Sequence, residues 1–240
     1  MSYTHLNPSA HGHLRFKSMP IDKFVAGLQE VELLIDDIWP MACRAPVAFV
    51  REIEFGQPII KAVCLLGRTI ERDSALNARD FWAKGALPSL LHAYPFGLQE
   101  VEQGFRVMVD EGFPGLSTGV GEPLFDETGA HSATLTKILA LLRVLSERLK
   151  ISRQFGQTLA QLNLLRPIDS VHSRQQFFTV DEQALAALSA SQVMVLRRRQ
   201  WLGLAYAQIM SLAYDHDRTL KAASDSVRSP LGRSNSYLVD

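Results

Sequence analysis

Several groups of residues in this 240-residue chain have types that could do chemistry, and their spacing decides how far each can be taken. His11 and His13 could share a metal ion through two imidazoles. No third ligand is near in sequence, and a catalytic metal site usually draws on three protein ligands, so the pair reads as part of a flexible terminus. Asp215, His216 and Asp217 are ligands by type but consecutive. On a helix their side chains would fan apart, so a solvated helix end accounts for them. Arg197, Arg198 and Arg199, beside Trp201, could meet phosphates or an acidic partner. Three neighbours spread over about 200° of a helix, so at least one should turn toward the protein body and pair with an internal carboxylate.

Acids gather at Asp110, Glu111, Glu122, Asp126 and Glu127. Paired carboxylates can divide acid and base roles when their surroundings separate their pKa values. Calcium would need six or so oxygens from a patterned loop, and the EF-hand pattern is missing. In "GEPLFDETGA" at 121–130, Asp126 can accept from local amides and Gly129 can take a positive φ. A reverse turn therefore explains both residues, while Glu122, just before Pro123, is not needed by the turn. Gly115, Gly119 and Gly121 flank two hydroxyls, but no lysine follows and no helix opens there, so a permissive loop explains them. Walker A, G-x-G-x-x-G and H-E-x-x-H patterns are absent.

The stretch "FWAKGALPSLLHAYPFGL" adds Phe81, Trp82, Tyr94 and Phe96, with His92 four residues after Pro88 on the same helix face. Large rings with one polar tip suit pocket walls and partner surfaces as well as cores. Trp82, His92, Tyr94, Phe96, Glu122 and Asp126 are therefore the candidate ligand-binding or partner-binding residues. No cofactor is implied, and no catalytic residue is assigned.

The elements that must position these residues divide between the two halves of the chain. "HLRFKS", "APVAFVREI", "PIIKAVCLLG" and "GFRVMVDEG" read as strands, with helical spacing in "EVELLIDDIW" and "LPSLLHAY" between them. From Ser132, Leu135, Ile138, Leu139, Leu142, Leu145, Leu149, Phe155, Leu159 and Leu162 recur at three- and four-residue steps. That spacing predicts one long amphipathic helix, bent near Gly156 and wet along Arg143, Glu147, Arg148 and Lys150. Thr179-x-x-Glu182 and Ser189-x-x-Gln192 read as capping boxes, the second opening a helix of five or more turns. The expected fold is α+β, a mostly antiparallel sheet in the N-terminal half packed against long amphipathic helices of the C-terminal half. The expected divisions are a flexible N-terminus at 1–13, a single domain at 14–221 and a disordered serine-rich tail at 222–240.

Composition narrows the function classes. Lys and Arg total 25 against 25 Asp and Glu, so no net field gathers nucleic acid. The most apolar runs, such as 62–66, fall far short of the ~20 residues of a membrane helix. Met1 to Phe16 lacks the apolar core of a Sec signal, which predicts a soluble, cytoplasmic chain. Cys43 and Cys64 are expected as buried, reduced thiols.

The order of several weak pieces is specific. "LRF" at 14–16 is followed by Trp82, Gly85 and Pro88, then "YPF" at 94–96, "DEGFPGLS" and "GEPLFDETG". After the long helix come "LLRPID", "FTVDEQALAAL" and "WLGLAYAQIMSL". From Leu14 to Leu212 this order resembles the SapC family of bacterial proteins. "CRAPVAF" and "RDSALNARDFWAKG" depart from the family's pattern. The resemblance implies a non-enzymatic binding or assembly protein associated with a surface layer or cell envelope. Its implied partners are envelope proteins or a second copy of the chain. It carries no catalytic residue across, and the competing reading is an enzyme or enzyme accessory with a small-ligand pocket lined by aromatics and acids.

Overall fold

The computed structural model describes residues 3–20, 28, 30–54, 56–65, 87–102, 104–168 and 175–213. Its strands in chain order are β1 (Tyr3–His5), β2 (Arg15–Phe16), β3 (Glu30–Leu33), β4 (Val47–Glu54), β5 (Gln57–Leu65) and β6 (Phe96–Val101). They continue with β7 (Gly104–Asp110), β8 (Leu116–Ser117), β9 (Glu122–Pro123), β10 (Leu165–Ile168) and β11 (Phe177–Val180). These form a five-stranded sheet in the order β10-β11-β4-β5-β3 and two three-stranded sheets, β1-β7-β6 and β8-β2-β9. Every strand pair is antiparallel. The α+β class is as expected, although β10 and β11 bring the second half of the chain into the large sheet.

Four local readings are corrected. Residues 3–5 form β1 against β7, and Asn7 caps the helical turn Pro8–His11 by accepting from the Ala10 amide, so the terminus is tied down from Tyr3 onward. "EVELLIDDIW" is not one helix. Glu30-Val31-Glu32-Leu33 alternates acid with apolar residue, which suits a strand that buries Val31 and Leu33 on one face. Asp37 then accepts from the Leu34 amide in a turn before the short helix Ile38–Ala42. Thr179 lies in β11, and the next helix, Glu182–Ala186, is capped by Asp181, which accepts from the amides of Gln183 and Ala184. "LPSLLHAY" forms a 3-10 helix at Ser89–Ala93.

The long helix runs unbroken from Ala133 to Gln161, with the Ser132 hydroxyl accepting from the Leu135 amide at its start. Gly156 is a point of close approach: a Cβ there would sit 2.5 Å from the Ile60 carbonyl oxygen of β5. Arg143, Glu147, Arg148 and Lys150 are exposed, as the spacing predicts.

After the Ser189–Gln192 capping box, the expected long C-terminal helix divides. Ala190–Arg198 ends where Gln200 takes φ 61°, and helix resumes over 201–213. The break lets Leu196, Trp201 and Ala205 enter the same core. Buried Gln208 then locks this helix to two strands. Its Nε2 donates to Val47 O at 2.8 Å, and its Oε1 accepts from Val180 N at 2.9 Å and from the Thr179 hydroxyl at 3.1 Å. Every polar atom of that amide is directed at β4 or β11, which offsets the cost of burying it.

Candidate functional site

The long helix serves two apolar cores in succession. Leu135, Leu142, Leu145 and Leu149 pack with Phe96 and Val109 of the β6–β7 sheet. Phe155 and Leu159 pack with Phe49, Ile60 and Trp201 under the large sheet. Between them, Ser152 accepts from the Ile35 amide at 2.8 Å and fixes the helix beside the end of β3. Arg153 follows on the seam between the two cores.

A cleft opens at that seam, with a cavity volume of ≈ 670 Å³. The register explains its polar wall. Because Glu32 opposes Val63, Val50 opposes Lys61 and Glu54 opposes Gln57, alternation places Glu30, Glu32, Glu52, Glu54 and Lys61 on one face of the large sheet. Arg153 Nη1 reaches Glu32 Oε1 at 2.7 Å, its Nη2 lies 3.9 Å from Glu54, and its Nε lies 3.8 Å from Glu100 on β6. Lys61 pairs with Glu52 and, at 2.7 Å, with Glu54. Leu90, Leu91, Phe96, Leu142, Leu145 and Leu149 add hydrocarbon to the lining, the last four on the strand and helix that also carry Glu100 and Arg153, and Tyr3 and Gln99 add polar groups.

The charges are close but incompletely satisfied. Glu54 Oε2, Glu100 Oε2 and Arg153 Nε and Nη1 are sealed from solvent without an aligned hydrogen bond. For Nη1 this is consistent with the 2.7 Å ion pair, since Glu32 approaches off the N–H direction. Burial raises the Glu32 pKa against the pull of Arg153, and burial likewise raises Glu30. Glu100 is raised by burial and by its hydrogen bond with Glu54. At Glu54 burial also pushes upward, but Lys61 outweighs it and the net shift is downward. Lys61 is raised: burial opposes its charge, and the negative field of Glu32 with the bonds to Glu52 and Glu54 overcomes it. Lys61 is thus held as an ammonium, not as a free amine nucleophile.

The residues singled out in the sequence fall in different places. Phe96 lines the cleft. His92, Tyr94 and Phe96 come together around a second, smaller cavity of ≈ 290 Å³ with Phe16 and Phe113. There the Tyr94 ring meets Phe113 edge-on at 5.3 Å, and the Tyr94 hydroxyl donates to buried Asp110 at 3.0 Å. His92 itself is exposed. Trp82, Phe81, the 214–217 cluster and the 222–240 tail lie outside the described residues. Glu122 is exposed on β9, opposite Phe16 and away from the cleft lining. Asp126 forms the expected turn, its Oδ1 accepting from the amides of Thr128 and Ala130, each at 2.9 Å, with Gly129 at φ 80°.

His11 is buried, in contrast to a flexible chelator. Its Nε2 lies 3.1 Å from Glu111 and 3.4 Å from the Thr4 hydroxyl, while Nδ1 accepts from the Asn7 amide at 3.2 Å. A hydroxyl, an imidazole and a carboxylate are all present, but the hydroxyl and carboxylate share one ring nitrogen and Thr4 donates directly to Glu111. A nucleophile triad needs them on opposite nitrogens, so this trio is a clip that ties β1 to the end of β7. Gly115-Leu116-Ser117-Thr118-Gly119 has the spacing of a nucleophile elbow, a pattern that the sequence reading overlooked. Its Ser117 hydroxyl, however, donates to Val120 O and accepts from Val120 N in a closed turn between β8 and β9, with no helix following.

Arg197, Arg198 and Arg199 are all exposed. Instead of pairing with an internal carboxylate, Arg199 lies 4.6 Å over the Trp201 ring. Cys43 is exposed, correcting the expectation that both thiols are buried, and burial pushes the Cys64 thiol up to about 12. Among the described residues no group of three or more His, Cys, Asp or Glu has the arrangement to hold a metal ion. Among them, too, no helix is long and apolar enough to cross a membrane.

Sequence reasoning missed the cleft residues Glu32, Glu54, Lys61, Glu100 and Arg153. The alternation of Glu30 to Leu33, and of Glu52 and Glu54 around Ile53, carries a signal that two strands expose acids on one face. Nothing in the spacing places Glu100 or Arg153 beside them.

A family model described as SapC matches residues 6–215. No curated protein and no solved structure matches the chain.

Proposed function

The chain belongs to the SapC family, and from that premise we propose that it is a binding protein whose small ligand occupies the cleft between β3, the β6–β7 sheet and the long helix. The observation that carries the reading is the cleft itself, ≈ 670 Å³ and lined by hydrocarbon together with a convergent charged cluster. Ligand sites of about 300–1,000 Å³ typically combine an apolar lining with a few directed polar groups. Glu54 and Glu100 bring partly exposed carboxyl groups to that cluster. A role as an assembly factor at a bacterial surface layer or envelope is the part of the proposal that the family resemblance supports.

A thermal-shift screen of small molecules, repeated on a variant with Leu145→Trp narrowing the cleft, tests the reading. Ligands should raise the melting temperature of the unaltered chain and lose that effect in the variant. A screen with no hit, or hits that ignore Leu145→Trp, would remove the cleft as the site. For the envelope role, the tagged protein should sediment with envelope fractions and crosslink to an envelope protein, and recovery only in the soluble fraction would count against it.

A second reading, an enzyme or enzyme accessory, draws on one observation: the neighbouring carboxyls of Glu54 and Glu100 line one cleft and are shifted in opposite directions. Such separation can divide base and acid roles. If Glu54→Gln and Glu100→Gln each retain full function in cells, this reading fails.

A further inference from the structure

We propose that the cleft's ligand is an organic cation, a protonated amine joined to an apolar body; the inference rests on the binding role proposed above. The polar wall is unbalanced. Glu30, Glu32, Glu54 and Glu100 line the cleft, against Lys61 and Arg153. Among the described residues four carboxylates face two cations, and Lys61 is further engaged by Glu52, which stands behind the lining. Even with Glu100 protonated, negative charge remains in excess among them.

The pairing of the charges favours the same ligand class. Arg153 Nη1 already has a counter-charge 2.7 Å away in Glu32, and its Nε has Glu100 at 3.8 Å. The Glu54 and Glu100 side chains remain partly exposed, at 24% and 35%. An ammonium brings three N–H donors and a positive charge to those carboxylates, and charge-assisted bonds of this kind are the strong ones. A carboxylate ligand would compete with Glu32 for Arg153 and deepen the excess. A neutral hydroxyl would bring one donor and leave the excess standing. Leu90, Leu91, Phe96, Leu142, Leu145 and Leu149 add an apolar part to the lining. That part suits hydrocarbon, and its burial provides the remaining driving force.

The pH behaviour follows. Glu100 holds its proton to higher pH than an ordinary glutamate because of burial and of Glu54. A bound ammonium would displace that proton, so affinity should rise with pH through the carboxyl range.

The test is calorimetric titration of the full chain with heptylamine, heptan-1-ol and sodium heptanoate, which share one hydrocarbon body and differ in the head group. The amine is expected to bind at least about tenfold more tightly than the other two, the equivalent of one charge-assisted bond. Its affinity should be higher at about pH 7 than at about pH 5. Glu100→Gln should weaken the amine about tenfold while leaving heptanol unchanged, which separates loss of charge from loss of fold; Glu54→Gln provides the second arm. Glu147→Gln, exposed on the long helix and outside the cleft lining, should alter nothing. If the alcohol or the heptanoate binds as tightly as the amine, the cation assignment is overturned and the cleft remains a binding site. If none of the three binds, both readings fall.

Discussion

Asp126 in the corner after β9 and Glu100 in the cleft carry the same functional group in opposite surroundings. Asp126 is exposed, and bonds from the Thr128 hydroxyl and the Ala130 and Thr128 amides hold its pKa below the usual carboxylate range. Glu100 is half-buried beside another carboxyl, and burial holds its pKa above that range. The corner gathers Glu122, Asp126 and Glu127 close together in the sequence, yet its best-placed acid is consumed by its own turn. Acids that meet in the cleft come from β3, β4 and β6 and leave two oxygens without donors. A carboxylate becomes a candidate for binding through what the fold leaves unsatisfied, and local density of acids is a poor guide to that.

Removing the shared cation should give the largest effect and separate the regions most sharply. Arg153→Met strips Glu32, Glu54 and Glu100 of their common partner, and breaking a buried ion pair by deleting one side costs about 3 kcal/mol. Glu32 and Glu100 already bind protons more tightly folded than unfolded, so their contribution to stability falls as pH rises through the unfolded value toward the raised folded one. Without Arg153 that fall steepens. Urea melts should show the variant's deficit shrinking from pH 7 to about pH 4; a pH-independent deficit would mean that lost packing of the arginine stem is the cause.

The corner responds to backbone instead of charge. Gly129 sits at φ 80°, so Gly129→Ala should cost about 1 kcal/mol, and the cost should not change with pH. A smaller effect of opposite sign is expected at Glu100→Gln. The neutral amide removes the charge that burial disfavours and can donate to Glu54. Discounted for the exposure of this side chain, the gain is about 0.5 kcal/mol at neutral pH. It should vanish below about pH 4.5, where Glu100 is protonated in both states. A loss of stability at neutral pH would show that attraction to Arg153 outweighs burial.

Legibility in the sequence followed the range of the interactions. The long helix, β4, β5, β7, the Ser189 capping box and the Asp126 turn are set by residues within a few positions of one another, and each could be read directly. The stretch 30–39 was misread because Leu33, Leu34, Ile35 and Ile38 also satisfy helical spacing, and only pairing of β3 with β5 settles the strand. The break at Gln200 has no glycine or proline to announce it; burial of Leu196 and Trp201 in one core imposes it. The cleft was illegible for the same reason. Arg153 meets Glu32 and Glu100 through a helix crossing and a sheet edge, neither of which leaves a mark on local spacing.

Glu122 gives the smallest expected effect and the finest test of the comparison. It precedes Pro123 in the stretch that carries the family resemblance, and the turn at Asp126 does not use it. On β9 its backbone pairs opposite Phe16 while its side chain remains exposed. Substitution at such a surface position should change stability by no more than about 0.5 kcal/mol. Glu122→Gln should therefore match the unaltered chain in urea melts, in amine binding and in envelope association. If binding or association falls while stability holds, the corner is a contact surface as well as a turn, and the division between a structural corner and a functional cleft gives way at that one residue.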